Sequence, residues 1–217
     1  MVLAAGAALL VIIVVLGVGQ LVLPGIAARR LRDRLARSGT VEKVEVDAFP
    51  AIELLWHRAD KVVIRMRDYR STPATLSSTL REIGDTDTLD ASVGQLATGL
   101  LTVRNARLTK RGNLLSATAT ITEPDLRASF PILDGVRPVD SSGGQLTLQG
   151  TATVLGVTAA INVTVRPQDG ALVASPAVPF GGFATITVFS NPAIAVQGVS
   201  ASPAPGGFAL SAVGRLR

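Results

Sequence analysis

No cysteine occurs in this chain, histidine occurs once, and only eight of its 217 residues are aromatic. The missing thiols exclude disulfides, cysteine nucleophiles, Cys-ligated zinc, iron–sulfur clusters and a lipoprotein attachment site together. With one imidazole, any Ser-His-Asp relay would have to run through His57. That residue follows Glu53 by one turn in a stretch read below as a short helix, the pattern of a surface ion pair. A lone histidine among scattered carboxylates also lacks metal-ligand spacing. Asp85, Asp87 and Asp90 suggest a calcium loop, but its sixth and twelfth positions, which need Gly and Glu, fall on Asp90 and Leu96. No carboxylate pair stands in the aromatic setting that sugar chemistry favours. Gly143-Gly144 and Gly181-Gly182 lack the strand–loop–helix context of nucleotide loops. The expectation is a protein that is not an enzyme, with no cofactor and no metal.

Charge is missing altogether from the start of the chain. Val2 to Leu23 holds no charged residue, Gln20 is its one strongly polar side chain, and fourteen positions are Val, Leu or Ile. At about −0.3 to −0.6 kcal/mol each, these favour bilayer insertion by roughly 4 to 8 kcal/mol before Gly and Gln are counted. Twenty-two residues at about 1.5 Å rise cover roughly 33 Å, enough to cross hydrocarbon. Pro24-Gly25 is expected to end this helix. Gly25-Ile26-Ala27 offers small residues to a peptidase cutting before Ala28. The run nevertheless exceeds the roughly 7 to 15 apolar residues of a cleaved signal, and nothing basic precedes it, so an uncleaved anchor is the reading taken.

The formal charge of +5 does not indicate nucleic acid. Arg29, Arg30, Arg32, Arg34 and Arg37, less Asp33, supply +4 of it, and the remainder is nearly balanced. Nucleic-acid domains interleave a basic face with aromatic or groove-reading groups, which are scarce here. A basic run just past a membrane helix gains about 1 kcal/mol per residue from anionic headgroups. The plainer reading is the solvated face of a helix.

The pattern then alternates between periods. Ile26 to Arg37 reads as a short helix with Ile26, Ala27, Leu31 and Leu35 on one side, ended by Ser38-Gly39. Val41 to Phe49 reads as a strand. Pro50 opens a helical piece with Ile52, Leu55, Trp56 and Ala59 in a stripe. Lys61 to Tyr69 reverts to period two, with Val62, Ile64 and Met66 on one face and Arg65, Arg67 and Tyr69 on the other. Thr72-Pro73 begins another helix, closed by Gly84. From about Thr88 onward everything reads as β. Leu100 to Leu108 changes phase near Arg104-Asn105, which suggests a bulge, and Thr109 to Asn113 forms the loop to a strand carrying Leu115, Ala117, Ala119 and Ile121. Leu146, Leu148, Gly150, Ala152 and Val154 alternate next, then Ile161, Val163 and Val165. Further strands follow near Leu172, Phe183–Phe189, Ile194–Val199 and Phe208–Val213. This is an antiparallel meander with one wet and one dry face. From Ser141 to the end only Arg166, Asp169, Arg215 and Arg217 are charged. Several inward positions are small: Ala117, Ala119, Gly150, Ala152 and Ala160. Small side chains on a curved sheet leave volume that helices or a ligand must fill.

The segments FPAIELLWHRADKVVIRM, LLSATATITEPDL and GGQLTLQGTATVLGVTAAINVTV, in that order and followed by a Gly-rich pair of strands, resemble the LmeA-like phospholipid-binding proteins of the actinobacterial envelope. The resemblance implies a tubular lipid-binding-like fold, phospholipid or phosphoinositide as ligand, and a part in envelope glycolipid assembly. It transfers no binding residues. The fold class expected is α+β: a curved antiparallel sheet wrapped around or packed on a few N-terminal helices, preceded by one transmembrane helix. The division is residues 1–24 as anchor and 25–217 as a single lipid-binding-like domain. Arg29, Arg30, Arg32, Arg34 and Arg37 are candidates for lipid headgroups. Ile52, Leu55, Trp56, Val62, Ile64 and Met66 are candidates for an acyl-chain groove, and core packing explains them equally well. The partners expected are membrane phospholipid and the membrane surface, not nucleic acid. The alternative is an anchored structural or protein-interaction module without lipid. Arginines that follow the anchor favour a cytoplasmic domain by the positive-inside rule, whereas the resemblance implies the periplasm or cell envelope. The outer side is the one taken, with a basic leader upstream of Met1 as the way to reconcile the two.

Overall fold

The structure, a computed structural model, describes residues 23–49, 54, 59–71, 86–98, 101–129, 134–154, 157–176 and 185–217. The apolar run before residue 23 and the expected helices near 50–58 and 72–84, with His57, lie outside the described residues. Among those described, no helix is long and apolar enough to cross a membrane. A helix, α1, runs through residues 23–35. Pro24 and Gly25, expected to end a helix, are themselves helical. Proline's fixed φ suits a helical turn that continues after it.

Among the described residues, twelve strands follow: β1 (Gly39–Asp47), β2 (Ala59–Ser71), β3 (Thr86–Thr98), β4 (Leu101–Arg111), β5 (Leu114–Thr122), β6 (Gly135–Ser142), β7 (Gln145–Val154), β8 (Val157–Gln168), β9 (Ala171–Pro176), β10 (Ile186–Phe189), β11 (Ile194–Ala204) and β12 (Gly207–Leu216). Ala59, expected to close a helix, opens β2 instead. A second helix, α2 (Glu123–Ser129), interrupts the stretch expected to be β throughout. They form two sheets rather than one curved antiparallel sheet: a seven-stranded sheet ordered β1-β2-β3-β4-β5-β12-β11 and a five-stranded sheet ordered β10-β9-β8-β7-β6. Neither closes on itself. The first is mixed, because β2 and β3 run parallel. Parallel neighbours need a crossover of about a dozen residues or more, and the chain between Ser71 and Thr86 is long enough to provide one.

The inner face of the large sheet has two covers. Over β1 to β3, Ala27, Ala28, Leu31 and Leu35 of α1 pack against Val46, Val62, Ile64, Met66 and Leu89. Over β5, β12 and β11, Ile121, Phe208, Leu210 and Ala201 meet Leu148, Val136 and α2's Leu126. Each such fully buried aliphatic side chain is worth about 1.5–3 kcal/mol.

Tyr69 was expected on the wet face with Arg65 and Arg67, yet it is buried with Met66. The cause is one extra residue carried coherently across four strands. Arg67 has no partner on β1, where Thr40 faces Asp68 and Val41 faces Met66. Arg67 lies beside Gly94, and Gly94 beside Asn105, at the point where β4 also gains a residue relative to β5. With Glu42 likewise left out of the β1 register, between Val41 facing Met66 and Lys43 facing Arg65, the row Glu42–Arg67–Gly94–Asn105 is thus a bulge through β1 to β4, and it resets the in–out alternation beyond it. The phase change expected at Arg104-Asn105 is its β4 end, where Asn105 adopts a left-handed φ of 50°. A Cβ on Gly94 would stand 2.7 Å from the Arg67 carbonyl oxygen, so the row needs glycine there.

The β4–β5 loop is shorter than expected. Lys110 and Arg111 pair with Leu115 and Leu114, leaving Gly112-Asn113 as a two-residue turn. Lys110 is consequently buried, its Nζ donating to the Thr86 carbonyl. At the other end of β5, Thr122 caps α2. Its Oγ1 accepts from the Asp125 amide at 3.4 Å and donates to Asp125 Oδ2 at 2.6 Å, while Arg104 donates to both carboxylate oxygens at 2.6 and 3.0 Å. The Arg104 hydrogen bonds, assisted by the Thr122 hydroxyl, outweigh partial desolvation and hold the Asp125 carboxyl below its ordinary range.

Two outcomes follow from this local chemistry. Asn105→Val should destabilise by about 1–2 kcal/mol, because a β-branched residue resists the left-handed region, and Asn105→Gly should cost less; urea titration reads the difference. Thr122→Ala should cost about 1 kcal/mol as a lost cap. Because the folded-state value of Asp125 is depressed, its contribution is full above the ordinary carboxylate pKa and is lost as pH falls through the depressed value. Asp125→Asn should therefore be less stable than the parent at neutral pH and lose less stability on acidification below about pH 4.

Candidate functional site

The two sheets meet along one strand. β11 is an edge of the large sheet, and its outward backbone donors are taken up by the small sheet's turns. Val199 N donates to Gly144 O at 2.9 Å and Val196 N to Gly170 O at 2.9 Å. Ala201 N donates to Ser141 Oγ at 3.0 Å. Gly144, at φ 75°, lies so close to Gly198 that a Cβ on it would meet the Gly198 Cα at 3.4 Å. The small sheet is therefore held by its Gly143-Gly144 and Asp169-Gly170 turns, and its opposite end extends beyond the seam.

Burial along its inner face follows that geometry. Residues directly opposite across a ladder share a face, so Leu146, Val165, Ala174 and Ile186 form one inner row, and Gly150 and Ile161 belong to another. Near the seam Leu146 and Val165 are buried against Val199, with Ala201 and Leu210 alongside. Farther out along β8 Val163 is half-buried and Ile161 keeps 49% of its surface exposed, while Ile186, in the Leu146 row but on the edge strand β10, keeps 68%. Ala160, expected inward, is exposed and pairs with Thr151 on the opposite face. The outer face of this sheet is polar, with Arg137 donating to Gln149 at 2.7 Å and Gln149 to Asn162 at 3.2 Å. The inner face is buried at the seam and covered at the far end of β6, where Val136 packs with α2's Leu126; it is open at the far end of β8 and along the β10 edge.

The sequence-derived candidates fall elsewhere. Val62, Ile64 and Met66 are buried beneath α1, with Leu54 also packed on that cluster. Ile52, Leu55 and Trp56 lie outside the described residues. Arg29, Arg30, Arg32 and Arg34 are exposed on α1, and Arg37 is exposed just after it. Asp90, weighed as a calcium ligand, is held by Arg111 at 3.0 Å.

A second concavity, of about 350 Å³, opens on the large sheet, lined by Asn105 and by the hydroxyls of Thr118, Thr120, Ser200, Ser202 and Ser211. Sequence reading missed it because the residues come from four strands, two of them, β11 and β12, distant in the chain from β4 and β5. The alternating Ser and Thr of β5 are its one local signal.

The model of the LmeA-like phospholipid-binding family matches residues 14–205. The chain belongs to that family. No curated protein and no solved structure matched it. For this LmeA-like chain, the open inner face of the small sheet and the exposed arginines of α1 are the described features with the chemistry of acyl chains and anionic headgroups respectively.

If the inner face is open as described, its two ends should respond differently to truncation. Leu146→Ala should cost about 2–5 kcal/mol by cavity formation. Ile161→Ser and Ile186→Ser should each stay within about 0.5 kcal/mol of the parent, as surface changes do; thermal denaturation of the three variants checks this.

Proposed function

We propose that this LmeA-like chain is a non-enzymatic phospholipid-binding protein of the cell-envelope membrane, anchored by its N-terminal apolar run, that shelters acyl chains against the open inner face of the small sheet. Periplasmic placement and a supporting part in envelope glycolipid assembly belong to the same reading. The observation that carries it is the exposure of Ile161 and Ile186 on an apolar face that is buried at the seam in a chain of the LmeA-like phospholipid-binding family. Burying about ten methylenes there gains roughly 8 kcal/mol relative to water and almost nothing relative to a bilayer. Such a site exchanges or presents lipid; it does not store it. The arginines of α1 sit where the chain leaves the apolar run, suited to anionic headgroups.

A second reading, an anchored protein-interaction module, draws on one feature. β10 is an edge strand without charge whose Ile186 and Val188 are exposed, and such an edge can accept a strand from a partner.

Fluorescent phospholipid transfer between donor and acceptor vesicles separates the two. The parent should accelerate transfer, and Ile161→Asp and Ile186→Asp should slow it several-fold without unfolding the domain. Purified protein that carries no lipid into an organic extract and transfers none, while retaining a protein partner on gel filtration, would overturn the lipid reading.

A further inference from the structure

On the outer face of the large sheet, one register row crosses almost every strand. Lys43 faces Arg65, Arg65 faces Ser92, Ser92 faces Arg107, Arg107 faces Thr118, Thr118 faces Ser211 and Ser211 faces Ser200. The carboxylates in ion pairs on or beside this sheet are each engaged by another base: Glu45 by Lys43 at 2.6 Å, Glu42 by Arg67 at 3.4 Å, Asp90 by Arg111 at 3.0 Å and, from α2, Asp125 by Arg104 at 2.6 Å. Among the described residues, Arg65 and Arg107 are left without an acidic partner. They flank Ser92 two strand spacings apart, roughly 10 Å between backbones, a span two arginine side chains can close over one phosphate. Arginine's planar fork is suited to that group. The row then runs from Arg107 directly into Thr118, Ser211 and Ser200, which line the hydroxyl-rich concavity of about 350 Å³. That concavity offers donors and acceptors with no charge of its own.

We propose that Arg65, Ser92 and Arg107 bind a phosphate whose attached hydroxylated group lies in the neighbouring groove of Thr118, Ser200 and Ser211. The ligand class is a phosphorylated polyol or sugar, either free or as the headgroup of a lipid. This site is separate from the inner face assigned to acyl chains and does not rest on that assignment.

Isothermal titration of the full chain with glucose 1-phosphate and with inorganic phosphate, beside flotation with phosphatidylglycerol vesicles, tests it. Saturable binding of the sugar phosphate, tighter than inorganic phosphate, is expected. Arg107→Gln should weaken it about tenfold or more, as loss of hydrogen bonds to a charged group does, with Arg65→Gln similar. Thr118→Val should narrow the gap between the sugar phosphate and inorganic phosphate. Arg166→Gln, an exposed arginine of the small sheet, removes the same charge and should change nothing. A free ligand as the natural source predicts the soluble arm alone. A lipid headgroup predicts vesicle binding that Arg107→Gln weakens and Arg166→Gln does not. Equal affinity for the sugar phosphate and inorganic phosphate, equal losses in Arg107→Gln and Arg166→Gln, or no binding in either arm would each overturn the proposal. Unchanged melting curves of the exposed-site variants keep a folding defect from imitating the result.

Discussion

The architecture depends on how the free edge of β11 is satisfied. An edge strand presents unpaired N–H groups that would otherwise pair with another chain. Here the carbonyls of Gly144 and Gly170 and the hydroxyl of Ser141 take up three of them. The seam therefore does two things together: it blunts the edge, and it fixes the small sheet by its turns. A sheet held at its turns is free to diverge at its other end. The gradient along β8 from buried Val165 through half-buried Val163 to exposed Ile161 is that divergence written in burial.

The same constraint separates core from binding surface. α1 covers β1 to β3 completely enough that Val62, Ile64 and Met66 are ordinary core. Opening that region for a ligand would first mean lifting α1, with a cost of several buried aliphatic side chains. The open part of the small sheet's inner face requires no such opening, because Ile161 and Ile186 are already exposed. Where acyl chains are taken up by displacing water and not protein, a protein equilibrating with a bilayer can load and unload without unfolding.

The strands were legible from period-two alternation, and so was the irregularity at Arg104-Asn105, because each depends on local pattern. The companion irregularities at Arg67 and Gly94 were not, and Tyr69 was assigned to the wrong face as a result. They are visible only once β2, β3 and β4 are aligned, which no local window does. α2 could have been found: Thr122-Glu123-Pro124-Asp125 is a cap, a proline in the first turn and an acid at the third helical position, masked by the alternation that precedes it. The division into two sheets was beyond pattern reading. Alternation says which side of a strand is dry, not which strand it borders, and the pairing of β5 with β12 joins segments about ninety residues apart. The seam was less legible still, since two of its three acceptors are backbone carbonyls, which carry no side-chain signature. The hydroxyl-lined groove shares this origin, being assembled from β4, β5, β11 and β12.

The polar row of Arg65, Ser92 and Arg107 and the apolar end of the small sheet differ in more than chemistry. The row lies on the outer face of the large sheet, whereas Ile161 and Ile186 continue the inner face of the small one. A continuous hydrogen-bonded backbone layer separates the outer row from the interior, and a sheet gives no passage through its own ladder. A phospholipid whose acyl chains rest against Ile161 and Val163 therefore cannot place its own phosphate between Arg65 and Arg107 by that route. As proposed, the two surfaces serve two molecules, or one molecule at successive moments. An outer site for a phosphorylated, hydroxylated group then acts as a point of docking, not as the other half of a lipid pocket.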